Sequence, residues 1–334
     1  MTFAMFLEWF LKALILILGL TVGFAYVTLF ERRLLARMQV RIGPNRAGPA
    51  GLLQPIADAV KLIFKEELIP ANADKVLFVM APVLTVIPAL IITGVIPLGP
   101  PITLFGREIT LQVADLNVGI LYLLTVTAIS IYGIALAGWS SNNKYSTMGA
   151  LRATASMISY ELALGLAYVG PVLLAGSMSI TDIVVAQEPM WFVVLQPLGA
   201  LIYLIGANAE INRSPFDMPE AEHELTAGFI TEYSGMKFAL FYMAEYIKMI
   251  AVSMIGASLF LGGYWGPGVN TYPWLGPIYL SIKVFILLFW FIWVRATWPR
   301  FRYDRMMAFG WKILFPLALL NVMVTALVIV LIGG

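Results

Sequence analysis

The chain has 334 residues, of which 60% are hydrophobic and 12% charged, with a net charge of +2 and a mean hydropathy of +0.88. Soluble domains carry about 25% charged residues, so this composition describes an integral membrane protein and gives no electrostatic basis for nucleic-acid binding. The absence of cysteine rules out disulfides, thiolate chemistry and cysteine ligation of iron–sulfur clusters, and the lone histidine, His223, cannot form a bis-histidine haem site. The sequence contains neither GxGxxG nor GxxxxGK[ST], so no nucleotide or flavin loop is legible.

Apolar runs long enough to cross a bilayer need about 20 residues. Eight are expected, at about 8–30, 75–97, 115–138, 154–175, 191–210, 237–262, 274–295 and 310–332. The first is too long, and lacks the small-residue cleavage site, to be a removed signal peptide. No repeat of 20–50 residues and no inverted halves are visible. The odd-numbered loops hold seventeen Lys and Arg residues, and the even-numbered loops hold only Arg107. The positive-inside rule therefore places the odd loops in the cytoplasm and both termini on the outer, periplasmic side. The expected fold is a single all-α membrane domain, 1–334, of eight transmembrane helices plus one short interfacial helix.

The first cytoplasmic loop, 31–74, begins with Glu31 and Arg32 and places Arg33, Arg37 and Arg41 four apart, one stripe if helical. Membrane anchoring accounts for such a stripe as well as a binding role does. The Gly/Pro-rich stretch Gly43–Gly51 then breaks the helix. Next, 52–66 alternates a polar stripe (Gln54, Asp58, Lys61, Lys65) with Leu53, Ile56, Val60, Ile63 and Phe64. It is too short to span and should lie in the interface, as an anchor or as the lip of a cavity that an amphiphile enters from the lipid.

Ionisable residues at membrane depth are expensive and carry a functional hypothesis by default. Glu161 opens the fourth span and has no cation within a turn of its own helix. Glu245 and Lys248 lie three apart in the sixth span and could form a satisfied pair. Lys283, in the seventh, is as readily a snorkelling or packing residue, and Asp115 opens the third. The acidic loop 210–236 concentrates Glu210, Asp217, Glu220, Glu222, Glu224 and Glu232 against Arg213. If 219–227 is helical, Glu220 and Glu224 lie about 6 Å apart and repel by about 3 kcal/mol at an effective dielectric near 20. That pushes one carboxyl's pKa upward and lets the set share a proton. A solvated patch docking a basic partner is the alternative, although Leu225, Phe229, Ile230 and Phe238 argue that the loop folds back onto the bundle.

The stretches ERRLLARMQVRIGPNRAG, GWSSNNKYS, RATASMISYEL, NRSPFDMPEAEHELTAGFITEYSGMKFALFYMAEY and RATWPRFRYDRMMAFGWK resemble the H-type membrane subunit of bacterial proton-pumping NADH–quinone oxidoreductase. This is the respiratory complex I component whose mitochondrial counterpart is NADH dehydrogenase subunit 1, and the similarity runs end to end. It implies an eight-helix translocase subunit in the bacterial inner membrane, with ubiquinone or menaquinone as bound substrate and no metal, haem, flavin or iron–sulfur cluster of its own. It implies as partners the peripheral-arm iron–sulfur and quinone-site subunits, the small and antiporter-like membrane subunits, and lipid. It assigns the quinone chamber to Glu31, Arg32, Arg33, Arg37, Asp58, Phe216 and Asp217. A proton path falls to Glu161, Glu210, Glu220, Glu222, Glu224, Glu232 and Glu245, with Lys248 beside it. Arg295, Arg300 and Arg302 are expected to face neighbouring subunits or headgroups, and His223 holds a variable position of the PEAE-x-EL motif. Two other readings compete: the membrane anchor of a ferredoxin- or hydrogenase-linked complex, and a stand-alone proton-coupled carrier.

Overall fold

The computed structural model describes residues 3–104, 107–217 and 226–333. The first helix, α1 (Phe3–Met38), has 36 residues, about 54 Å at 1.5 Å per residue. It outruns the expected span 8–30 because the Arg-rich segment continues the same helix past the apolar stretch. Arg33 and Arg37 thus share a face of its last turns. The chain then reverses through a tight turn at Gly51, where φ is +76° and an added Cβ would sit 2.3 Å from the Pro44 carbonyl oxygen; only glycine fits there. The amphipathic segment forms α2 (Gln54–Phe64), with no buried residue. Its apolar side chains stay outside, Ile56 at 58%, Ile63 at 59% and Phe64 at 85% exposure, as suits a helix lying against lipid.

The next helices are α3 (Lys75–Ile91), α4 (Gly119–Ser140) and α5 (Lys144–Ala175). Asp74 caps α3 by accepting from the Val76 and Leu77 amides, and Asn143 caps α5 through the Tyr145 amide. A small antiparallel hairpin of β1 (Ile102–Leu104) and β2 (Arg107–Ile109) precedes α4; its six residues are too few to leave a period-2 signal. The chain continues through α6 (Ile180–Val185), α7 (Phe192–Leu195), α8 (Pro197–Glu210), α9 (Gly235–Phe260), α10 (Leu275–Thr297) and α11 (Tyr303–Phe309). A π-helical turn at Gly310–Leu314 then leads into α12 (Phe315–Gly333).

Among the described residues seven helices are long and apolar enough to cross a membrane. The expected fifth span, 191–210, is instead divided into α7 and α8 at Gln196, whose φ of −133° and ψ of 61° leave the helical region. The cause is Pro197, which disfavours α conformation in the residue before it and starts α8 as a first-turn proline. The 14 residues of α8 span about 21 Å, short of the roughly 30 Å hydrocarbon layer.

Small residues set how closely the helices approach, as in lipid generally. A Cβ on Gly133 of α4 would sit 2.9 Å from the Ala81 carbonyl oxygen of α3. The later part of the acidic loop does fold back onto the bundle. Ser146 of α5 donates to the Phe229 carbonyl at 3.2 Å. Tyr233 stacks on Phe78 of α3 with centroids 4.0 Å apart, and its hydroxyl donates to the Phe78 carbonyl. Gly149 and Gly228 meet backbone to backbone, and a Cβ on Gly149 would lie 2.6 Å from the Gly228 Cα. Gly149→Ala is therefore expected to cost about 1–3 kcal/mol through overpacking, read as a lower thermal midpoint of the purified assembly. An unchanged midpoint would show that this contact is not tight.

Candidate functional site

The loop leaving α8 turns back at Asn212, whose φ is +55°, and this reversal drives Arg213 into the bundle, where its side chain is 2% exposed. Arg213 donates from Nη1 to Glu31 of α1 at 2.6 Å and from Nε to Glu245 of α9 at 2.7 Å. Its guanidinium lies 4.4 Å from the ring centroid of Tyr246, a cation–π contact. Burial alone would lower the pKa of Arg213, but the carboxylates of Glu245 and Glu31 more than reverse this, so it is raised and the charge is retained. Arg295 of α10 closes the group by donating to the second oxygen of Glu31.

A second pair stands one turn further along α9, where Lys248 donates to Glu210 at 2.9 Å. Glu245 and Lys248 thus do not pair with each other. Although three apart on one helix, each finds a partner on another segment. Between the two pairs lies a cavity of about 50 Å³ lined by Glu210, Asn212, Glu245, Lys248, Thr85 and Ser130 among others, room for a few waters at about 10–15 Å³ each. Glu210 Oε2 and Asn212 Oδ1 are buried without a protein partner, and such atoms ordinarily find water. Glu161 of α5 lies within electrostatic reach of Glu210 and Lys248. It accepts from the Thr127 hydroxyl of α4 at 3.5 Å. Among the described residues it makes no ion pair.

On the other side of Arg213, Glu31, Arg32, Leu35, Met38, Gln39, Tyr246, Arg295 and Ala296 line a pocket of about 480 Å³. That volume falls in the usual small-molecule range of about 300–1,000 Å³. Arg32 donates to Asp58 of α2 at 2.6 Å, and Gln54 donates to the same carboxylate at 3.2 Å, tying α2 to the pocket rim. Arg33 turns away to the Ala50 carbonyl, and Arg37 is exposed.

Phe216 and Asp217 do not line this pocket. Phe216 packs between Tyr160 and Phe301, with centroids 5.0 and 5.8 Å away. Asp217 accepts from Arg300 at 2.9 Å, while its Oδ1 is buried without a partner. Burial raises its pKa, helped by Glu245 and only partly opposed by Arg300 and Arg295. Glu232 also stands apart, held by the Asn143 side chain at 2.6 Å in a surface groove with Lys144 and Asn72. Glu220, Glu222, His223 and Glu224 lie outside the described residues. Lys283 donates to two backbone carbonyls, and Asp115 accepts from Thr181 at 3.1 Å.

Arg295 and Arg300, expected to face neighbouring subunits or headgroups, also have partners within the chain, Glu31 and Asp217, because those buried carboxylates need cations; Arg300 remains exposed. Arg302 pairs with Asp304 on the surface. Sequence reasoning noted Arg213 as the sole cation among the carboxylates from Glu210 to Glu232 but assigned no role to it or to Tyr246. Among the described residues no group of three His, Cys, Asp or Glu side chains could hold a metal.

Removing Arg213 leaves Glu31 and Glu245 buried and repelling. Arg213→Met is expected to destabilise by about 3–5 kcal/mol, seen as poor assembly or a sharply lower thermal midpoint; an unaffected midpoint would contradict the ion-pair assignment. For Asp217 the sign is opposite. Its folded pKa is raised, so its contribution to stability is full below the ordinary Asp pKa of about 3.9 and is lost as pH rises through the folded value. Asp217→Asn is therefore expected to be no less stable than the parent at pH 7 and to flatten the pH dependence, as measured by thermal melts from about pH 4 upward. Marked destabilisation would show that the Arg300 pair outweighs burial.

Residues 11–326 match the family model described as NADH dehydrogenase. The chain is 53% identical over 320 residues to the H-type subunit (H 1) of the NADH-quinone oxidoreductase of Geobacter metallireducens, covering 96% of this chain and 95% of the relative. It is 54% identical over 322 residues to NADH-quinone oxidoreductase subunit 8 of Thermus thermophilus, covering 96% and 87%. Against the H-type subunit of the NADH-quinone oxidoreductase of Thermomicrobium roseum it is 52% identical over 314 residues, covering 91% of each. A mainly helical membrane bundle with this similarity along nearly its whole length, this chain belongs to the NADH dehydrogenase family.

Proposed function

We propose that this chain is the membrane subunit of a bacterial NADH–quinone oxidoreductase that forms much of the quinone chamber and couples quinone reduction to proton translocation. The observation that carries this reading is the position of Arg213. One guanidinium is shared by Glu31, which lines the 480 Å³ pocket, and by Glu245, which lines the 50 Å³ cavity. The relatives named above as subunits of NADH-quinone oxidoreductase supply the reaction.

In this reading the chain is a multi-pass protein of the bacterial inner membrane, with α7 and α8 together forming the fifth of eight crossings. Both termini are outside, and the Arg-rich and acidic loops meet the peripheral arm in the cytoplasm. The small and antiporter-like membrane subunits and lipid surround the bundle. The quinone enters beside α2, whose apolar side chains are exposed, and its head reaches the pocket where Arg32 and Arg295 offer donors to the ring oxygens. Arg33, Arg37 and Asp58 shape the entrance, and Phe216 and Asp217 brace the wall through the Asp217–Arg300 pair. When reduction places negative charge or demands protons at that end, the balance of Glu31, Arg213 and Glu245 shifts, since charges in a poorly solvated site interact strongly. Water in the small cavity carries the proton demand to the Glu210–Lys248 pair and on to Glu161. Glu220, Glu222, Glu224 and Glu232 buffer the cytoplasmic side of the path.

Because Glu161 makes no ion pair among the described residues, Glu161→Gln removes a proton site without orphaning a cation. It is expected to lower protons moved per electron in the reconstituted complex while quinone reduction continues. Unchanged stoichiometry would remove Glu161 from the path. Asp58→Leu releases Arg32 from the pocket rim and is expected to raise the quinone KM by about tenfold, the effect of losing roughly 1.4 kcal/mol of positioning. An unaltered KM in an assembled complex would place the entrance elsewhere.

A further inference from the structure

At the far end of α9, about 20 Å along the helix from Lys248, three segments close over a single ammonium. Lys283 of α10 is 7% exposed and donates to the carbonyls of Gly263 at 2.8 Å and Trp265 at 2.7 Å. Its Nζ lies 4.5 Å from the ring centroid of Trp191. Among the described residues it makes no ion pair, so backbone carbonyls and a ring take the place of a counter-ion. The backbone bends to meet it: Gly262 and Gly263 have φ of +75° and +51°. A Cβ on Gly262 would lie 2.7 Å from Trp191 Cδ1, and one on Gly263 would lie 2.8 Å from Val184 Cγ2. Gln187, fully buried, stitches the same segments with four bonds. It donates to the carbonyls of Ile183 and Ser258 and accepts from the amides of Phe192 and Gly262. Within this closure Ser258 Oγ and Trp265 Nε1 are buried without protein partners.

We propose that Lys283 is the latch of a seal that closes this end of the bundle to water, so that the carboxylate ladder opens to one side only. The inference rests on reading the ladder as a proton path. A charge at this depth is costly unless its surroundings satisfy it, and here only the closed arrangement brings two carbonyls and a ring to the ammonium. Charge-assisted hydrogen bonds and the cation–π contact therefore favour the closed state. Without the ammonium the two carbonyls lose their donors, and the unpartnered Ser258 and Trp265 groups favour entry of water.

The test uses the whole complex in proteoliposomes, with a pH gradient imposed and no electron donor, so that its outcome is independent of pumping. Lys283→Met is expected to speed decay of the gradient about tenfold, which corresponds to about 1.4 kcal/mol in the closed–open equilibrium. Because the chain has no cysteine of its own, Ser258→Cys supplies a second readout. The introduced thiol should resist a membrane-impermeant maleimide in the parent and be labelled in the Lys283→Met background. If Lys283→Met fails to assemble, Gly262→Ala, which pushes Trp191 away while keeping the lysine, should give the same leak and labelling. An unchanged decay with the introduced thiol unlabelled overturns the seal. So does a fall in protons per electron at unchanged decay, which would place Lys283 in the path itself.

Discussion

Two carboxylates from distant helices, Glu31 and Glu245, are held in the interior by one arginine that neither helix supplies. Arg213 arrives from the loop after α8, and without it the inner ends of α1 and α9 would each present a buried negative charge to the other. The desolvation of all three groups is offset by short charge-assisted bonds at 2.6 and 2.7 Å and by Arg295 as a second cation on Glu31. Charge is balanced locally: Glu210 by Lys248 and Asp217 by Arg300. Among the described residues Glu161 makes no ion pair and so stands outside this balance, which is what recommends it as a proton site in the proposed function.

The break at Gln196 serves the same arrangement. A continuous helix through 191–210 would still have to end where Glu210 meets Lys248. The segment before α7 brings Trp191 against Lys283 and Gln187 against Gly262. The two ends of the bundle are thus built differently. The Arg213 end carries balanced ion pairs beside the 50 and 480 Å³ cavities. The other end is packed around a lysine that has backbone carbonyls and a ring in place of a counter-ion.

Much of the bundle is legible in the sequence because length and hydropathy are sums over about 20 residues and tolerate local exceptions. The boundaries are less so. Arg32 to Arg37 look like a loop by hydropathy but continue α1, since charge does not break a helix. Pro197 marks the divided span, yet a window average passes over it. The candidate residues were legible by type, as ionisable groups where lipid is expected. Their pairing was not, because it depends on a single left-handed residue, Asn212, which turns Arg213 inward. Spacing along α9 suggested a Glu245–Lys248 pair, whereas both side chains reach across to other segments.

In the proposed function, coupling turns on Arg213 joining the quinone side to the proton side, and a double-mutant cycle measures that link directly. Glu31→Gln and Glu245→Gln, alone and together, would be compared for protons moved per electron in the reconstituted complex. Two groups held by one guanidinium should be strongly non-additive, the double variant losing little more than the worse single one. Losses that simply multiply would mean that Glu31 and Glu245 act independently, and the ladder through Arg213 would not be the coupling element.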